Sequence, residues 1–518
     1  MKRPSKHSLA VFRSVLVMSL VAGLFGFDTG SIGAITTMPS FVAEFGELTP
    51  VMRGVVVAII LVPSAFTGMI AGGVSDRLSR KRTIALGSLI FAVGSAISAG
   101  AVEHLGVLIL GRCIAGAGEG LFLGCLGVYI CEISPKHLRA TMMLTQQLFT
   151  TGAVAAGFFV SYGTVNIPGS ISWRFPFILQ TVTSLVVAVT APFMPYSARW
   201  LLSKGRREEA ERVLDLLVGK DNVEERRELL STGNVAPTKL SQLEGMKDIW
   251  SKGVRGRTIL GMALNVFQQL SGIDFVLFFA PLLFAQAGLD ASTSSFLASG
   301  VTGLVLVACT IVGTTYIDRV GRRTIWLVGG TATAACHMVL GILYATSAAH
   351  TAAGKWVVIA FIELFAISFT SSWSLVTKLY ASEIQPARTR AAATSFGQGA
   401  NQAVNFAVAV SGPAFLASSS FGPYFLYGGC SALGVLFGFF FMPEVMGKSL
   451  ESIDTTFEGS AVVAAWPKMF QSARLTEVRQ RKNSRSQSAT LPGETRAEIR
   501  SHVFEMKTIG EDTAIDED

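Results

Sequence analysis

"YICEISPKHLRA" runs from residue 129 to 140, and "YASEIQPARTRA" from 380 to 391. In the first, Glu132 precedes Arg139 by seven residues and Gln147 by fifteen. In the second, Glu383 precedes Arg390 by seven and Gln398 by fifteen. Pro135 and Pro386 take matching places. A second echo joins "DRLSRKR" (76–82) to "DRVGRR" (318–323). A simple excess of basic residues on one side of a membrane accounts for the arginines. It does not account for acidic partners at fixed offsets. The chain therefore reads as two copies of one unit.

Each copy is mostly apolar. Of 518 residues, half are hydrophobic and 15% are charged, with a mean hydropathy of +0.50. That is too apolar for a soluble domain and points to many membrane spans. The 52 glycines suit close helix packing in lipid. Twelve apolar segments of about 20 residues each can be marked, at 13–36, 52–75, 84–102, 106–131, 142–165, 173–195, 257–286, 293–316, 324–348, 356–381, 391–416 and 421–442. The first is long and lacks a clear cleavage site, so it reads as a retained span rather than a signal peptide.

The net charge of +8 does not indicate nucleic acid, because the basic residues lie in loops between apolar runs. The stretches 76–82, 132–139, 199–257, 318–323 and 383–390 are basic. The intervening loops carry Lys355 and no arginine. The positive-inside rule then places both termini and the 196–256 loop in the cytosol. Within that loop "GRREEAERVLDLL" (205–217) predicts a short amphipathic helix. The tail from about 455 is polar and reads as disordered. The expected organisation is a cytosolic terminus (1–12), a six-helix bundle (13–195), a loop (196–256), a second bundle (257–442) and a tail (443–518). Duplicated halves enclose a path at their interface, near the bilayer midplane.

The six cysteines fall in apolar runs without CxxC spacing and read as small hydrophobes. The scattered histidines suggest no metal cluster. No nucleophile–base set or phosphate loop stands out, and the glycines of "GAGEG" (116–120) sit in a span, not at a nucleotide fingerprint. No enzyme and no cofactor is expected.

Further strings sharpen this. "GFDTG" (26–30), "GRCIAGAGEG" (111–120), "YICEISPKHLRA" (129–140), "SWRFPFILQ" (172–180), "SARWLLSKGRREEA" (197–210), "QQLSGIDFVLFFAP" (268–281), "DRVGRR" (318–323) and "PEVMGKSLESID" (443–454) occur in order. Together they resemble the sugar porter family of the major facilitator superfamily. The resemblance implies an all-α integral membrane protein, with twelve transmembrane helices in two pseudo-symmetric six-helix bundles that rock around a central site. It also implies a monomer at the plasma membrane, driven by a proton gradient. In the family, acidic residues at the positions of Asp76, Glu132, Asp318 and Glu383 pair with nearby arginines, here Arg77, Arg139, Arg322 and Arg390, when the cytosolic side is shut.

Charges within spans need a reason, since each costs about 2.5–3.5 kcal/mol at mid-bilayer on insertion scales. Asp28 is the only charge in 14–43, and Arg112 lies two turns into the fourth segment. By resemblance they match the aspartate–arginine pair of proton-coupled sugar porters; a static buried ion pair is the alternative. Glu119 departs from the family motif and lies seven residues after Arg112, on nearly the same face. It could compete with Asp28 for Arg112, serve as a second proton site, or be a protonated glutamate in a tight helix contact.

The family holds sugars with amides and tryptophans. Amides suit hydroxyls because each both donates and accepts. Gln147, Gln268, Gln269, Asn401 and Asn405 match such positions. Elsewhere the pattern breaks: Asp274 and Leu306 replace asparagines, and Phe278–Phe279 replace tyrosines. The tenth-segment Gly-Pro is Ser374–Leu375, and Lys378 and Gln402 stand for tryptophans. Three readings of Lys378 stand open: an ion pair with Asp274, a contact to a substrate carboxylate, and a side chain snorkelling to water. Glu363 could likewise reach the opposite interface. The functional readings are a proton-coupled importer of a small polar solute, sugar-like or acidic; an exporter of a specialised metabolite; and a sensor that binds but barely transports.

Overall fold

The computed structural model describes residues 6–134, 139–217, 247–251, 254–289, 293–317, 319–386, 389–446 and 457. Asp318, most of the central loop and nearly all of the tail lie outside them. The described chain is helical. The first half comprises α1 (Lys6–Ile35), α2 (Pro39–Phe45), α3 (Pro50–Ala58), α4 (Leu61–Leu78), α5 (Arg80–Ala99), α6 (Leu105–Ile133), α7 (Arg139–Thr164) and α8 (Ile171–Thr190). Two loop helices follow, α9 (Ala198–Ser203) and α10 (Arg207–Leu217). The second half comprises α11 (Arg255–Leu270), α12 (Ile273–Phe278), α13 (Ala280–Gln286), α14 (Thr293–Tyr316), α15 (Arg322–Ala345), α16 (Gly354–Thr370), α17 (Trp373–Glu383), α18 (Arg390–Ser418) and α19 (Gly422–Phe441).

Nine segments among the described residues are long and apolar enough to span a membrane. The remaining three rods, α7, α14 and α18, bring the total to twelve. Two of them, α7 and α18, carry the glutamines and asparagines that lower their hydropathy. Such rods stand inside a bundle, shielded from lipid by more apolar neighbours.

Packing repeats between the halves. In the first, α5 packs on α6 and α8, α1 on α7, and α4 on α6. In the second, α15 packs on α16 and α19, α11 on α18, and α14 on α16. These are the corresponding pairs in each copy. Side chains repeat too: Tyr129 Oη donates to the Pro195 carbonyl at 2.8 Å, and Tyr380 Oη to the Pro443 carbonyl at 2.9 Å. The halves meet where α7 packs on α14, α18 on α3 and α4, and α1 on α12.

Three rods are interrupted: α3 gives way to α4 at Ile59–Ile60, where the backbone stays close to helical, and two others break more sharply. Gly272, at φ +77°, separates α11 from α12. A break frees backbone carbonyls that need donors at membrane depth. The Ser271 carbonyl lies 2.9 Å from His337 Nε2. The second break, at Ser371–Ser372 between α16 and α17, needs no Gly-Pro. There the Tyr316 hydroxyl donates to the Ser371 carbonyl, and Ser372 Oγ donates to the Ser368 carbonyl at 2.5 Å.

In the loop, α10 buries Ala210, Leu214 and Leu217 along one face, as the amphipathic pattern predicts. Of the six cysteines, Cys125 and Cys336 are buried and the others half-buried.

Candidate solute and proton site

Asp28 of α1 and Arg112 of α6 are both almost fully buried, at 3% and 1% exposure. Arg112 donates Nη1 to Oδ1 and Nη2 to Oδ2, each at 3.0 Å, and Nη2 also to the Val57 carbonyl at 2.7 Å. A bidentate, charge-assisted pair of this kind fixes both side chains. Gln180 of α8 adds an N–H to Asp28 Oδ1 at 3.2 Å and in turn accepts from Ser95 at 3.5 Å. Gln180 was not among the expected site residues, although it closes the quoted string "SWRFPFILQ". One face of the carboxylate is therefore read by a permanent cation and another by a neutral amide.

Glu119 does not reach Arg112 in this conformation. It is fully buried, and its Oε1 accepts from Ser64 Oγ of α4 at 3.0 Å.

The second cluster is built on α11, α12 and α18. Gln269 donates to Asn401 Oδ1 at 2.9 Å, and Asn401 donates to Gln268 Oε1 at 3.2 Å and to the Asn265 carbonyl at 3.1 Å. Gln268 donates to the Trp373 carbonyl at 3.3 Å, which ties the cluster to the start of α17. Asn405 donates to Asp274 Oδ2 at 2.5 Å. Three expected amides, Gln268, Gln269 and Asn401, are thus one network, and Asn405 and Asp274 are a pair between the same helices α18 and α12. Gln147 lies half-buried on α7, on the opposite half.

Gln402 is turned elsewhere. Its Nε2 donates to Ser64 Oγ at 3.4 Å, across the contact between the halves. Leu306 and Phe278–Phe279 are buried in the apolar core, and Leu375 fills the space beside Gly313.

Lys378 sits mid-way along α17 yet is exposed to solvent, while Trp373, Val376, Thr377, Tyr380 and Ala381 around it are buried. Its charge and that of Asp274 interact, but the two make no ion pair among the described residues. Glu363 accepts from Thr302 of α14 at 2.5 Å, within its own half.

On the side of the basic loops, Arg80 joins Asp76 (2.6 Å) to Glu132 (3.1 Å). Arg77, expected in that role from the sequence, is exposed. Ser79 turns sharply between α4 and α5 at φ +95° and brings Arg80 round instead. In the second half Arg322 reaches Glu383 at 3.4 Å, and Arg390 donates to the Gln385 carbonyl at 3.1 Å. The side chain of Arg139 lies outside the described residues, as does Asp318. A contact not expected from the sequence comes from Glu444. It caps α15 by accepting the backbone N–H groups of Arg322 (2.9 Å) and Arg323 (3.1 Å). Its signal was the first acidic residue of "PEVMGKSLESID", the second residue of that string.

The side opposite the basic loops is shut. A Cβ built on Gly33 would stand 1.4 Å from the Phe278 carbonyl oxygen, so α1 and α12 are in backbone contact there.

The sequence profile of the family described as "Sugar (and other) transporter" matches residues 14–457. Probable polyol transporter 6 of Arabidopsis thaliana is 30% identical over 483 residues, covering 88% of this chain and 96% of that protein. High glucose sensor RGT2 of Saccharomyces cerevisiae is 32% identical over 481 residues, covering 88% of this chain and 62% of that protein. Among solved structures, the proton:xylose symporter XylE of the major facilitator superfamily, bound to 6-bromo-6-deoxy-D-glucose, is similar in fold. Its TM-score is 0.74 at 23% identity, covering 87% of this chain and all of that one.

Proposed function

Since the chain belongs to the sugar (and other) transporter family, we propose that it is a proton-coupled importer of a small polyhydroxylated solute that also bears a carboxylate. It is a multi-pass membrane transporter working by alternating access, and not an enzyme. We place it in the plasma membrane with both termini cytosolic, following the basic loops.

The observation that carries the coupling is the buried bidentate pair of Arg112 and Asp28. Arginine stays charged, whereas a carboxylate can change its protonation with its surroundings. A proton on Asp28 removes the ion–ion attraction and occupies one of the two acceptor oxygens. Arg112 then keeps the Val57 carbonyl and at most one neutral carboxyl oxygen, and α1 is held less tightly against α6. Because α1 also meets α12 where the far side closes, that freedom reaches the interface between the halves. Loss of the proton to the cytosol restores the pair.

Hydroxyls suit the amides of Gln268, Gln269, Asn401 and Asn405. The acidic character rests on Lys378, an exposed residue mid-way along α17, while Asp274 is buried and accepts from Asn405. A carboxylate on the solute would give the Lys378 charge a partner.

The test is uptake of a hexose, a polyol and a hexuronate into transporter-deficient cells across pH, with Asp28→Asn and Lys378→Trp alongside. Acid-stimulated uptake that Asp28→Asn abolishes supports coupling. Uptake of every solute that ignores the proton gradient overturns it. Efflux without uptake would turn the reading to export.

A further inference from the structure

Three polar side chains form a line across the contact between the halves. Glu119 on α6 is fully buried and accepts one hydrogen bond, from Ser64 Oγ on α4 at 3.0 Å. Ser64 accepts, at 3.4 Å, the Nε2 of Gln402 on α18. All three are nearly solvent-free, at 0%, 3% and 4% exposure. The second carboxylate oxygen of Glu119, Oε2, is buried with no hydrogen-bond partner. Glu119 and Ser64 belong to the first half and Gln402 to the second, so the line ends on a bond that must break if the halves separate here.

The charged groups on helices packed against α6 are Lys6, Arg13 and Asp28 on α1, Arg53 on α3, Asp76 and Arg77 on α4, Arg80, Lys81 and Arg82 on α5, Arg139 on α7 and Arg199 on α9. All except Arg13 and Asp28 stand near helix ends. Along α6 itself Arg112 is committed to Asp28, and Glu132 to Arg80. α18, which packs on α4, adds only Arg390 at its start. No cation pairs with Glu119 among the described residues.

We propose that Glu119 is a second proton-responsive residue of the transport cycle, acting through Ser64 on the bond that Gln402 makes between the halves. The reason lies in donor counting. An ionised carboxylate only accepts, so it takes the one Ser64 proton. Ser64 then has only lone pairs for the other half, and Gln402 must present its N–H. A protonated Glu119 can donate to Ser64 Oγ, which releases the Ser64 proton from the carboxylate and leaves one lone pair for the Gln402 N–H. The released proton makes a bond of reversed direction available, from Ser64 to the Gln402 amide oxygen. Protonation therefore weakens the single link seen here by giving it a competitor. The line shares no hydrogen bond with the Asp28–Arg112 pair, although both of those charges act on Glu119 through space, so variants at the two sites are compared side by side.

Spin labels at Leu78→Cys and Val320→Cys, one on each half at the basic side, report the separation without any solute. The background is the full-length chain with its six native cysteines replaced by alanine, in lipid nanodiscs. The parent is expected to shift its distance distribution between alkaline and acidic pH. Glu119→Gln should hold one distribution at both. Gln402→Leu removes the bond from the other half while leaving Glu119 and Ser64 intact, and it should also blunt the shift. Asp28→Asn should keep part of it. A parent-like shift in Glu119→Gln, or a shift wholly lost in Asp28→Asn alone, overturns the proposal.

Discussion

Arg112 holds Asp28 with two parallel hydrogen bonds of 3.0 Å from helices far apart in the chain, and neither side chain has appreciable solvent exposure. Removing the acid leaves a buried guanidinium whose remaining partner is the Val57 carbonyl. Loss of one partner of a buried pair costs about 3–5 kcal/mol. Asp28→Asn is therefore expected to lower thermal stability in detergent and to abolish accumulation against a gradient, while solute exchange persists. Accumulation retained in Asp28→Asn, and collapsed by a protonophore as in the parent, would place the coupling elsewhere.

Lys378 is exposed mid-way along α17, and the proposed contact with a solute carboxylate rests on it. An interaction between a charged group and a hydrogen-bonding partner contributes about 1.5–3 kcal/mol. Lys378→Met should weaken hexuronate uptake roughly ten- to a hundredfold, read as apparent KM, and change hexose uptake far less. Equal losses for both solutes would assign Lys378 a structural part rather than a contact with carboxylate.

Arg80 bonds both Asp76 and Glu132, whereas Arg77 faces water. Arg80→Ala strands a mostly buried Glu132, and transport should fall about tenfold, equivalent to about 1.4 kcal/mol. Arg77→Ala should leave the rate within about twofold, as for an exposed charge. The two variants, assayed side by side at equal surface expression, decide between the arginines.

Gly272 has φ +77°, and a Cβ there would lie 2.6 Å from the ring of Tyr427. A side chain in the left-handed region costs about 1–2 kcal/mol before any clash. Gly272→Ala should lower the melting temperature, and Tyr427→Leu in the same chain should recover part of the loss by making room. No recovery would assign the cost to backbone conformation alone.

Much of the architecture was legible because hydropathy and charge act locally. Segments of the right length, basic loops and the paired Glu–Arg spacings required no knowledge of contacts. Asp28 and Arg112 stood out as charges within spans, and the family resemblance matched them to each other. Other features depended on helix phase. Arg77 and Arg80 are three residues apart, and the turn at Ser79 decides which one meets Glu132. Gln402 adjoins Asn401 in sequence, but successive helical residues differ by about 100° in direction. Asn401 joins the amide cluster and Gln402 meets Ser64 instead. The break at Ser371–Ser372 was also hidden, since it is held by hydroxyl donors rather than marked by Gly-Pro.

By itself, the order of residues determined a duplicated, twelve-span membrane protein, because transfer to lipid and the sidedness of lysine and arginine depend on composition and spacing alone. Tertiary structure alone decided which polar groups share a site: Gln180 with Asp28, Asn405 with Asp274, and Glu119 with Ser64 rather than with Arg112. These pairings depend on the rotation and depth at which separate helices pack. At membrane depth a donor and an acceptor must find each other within the protein, so that packing selects the chemistry.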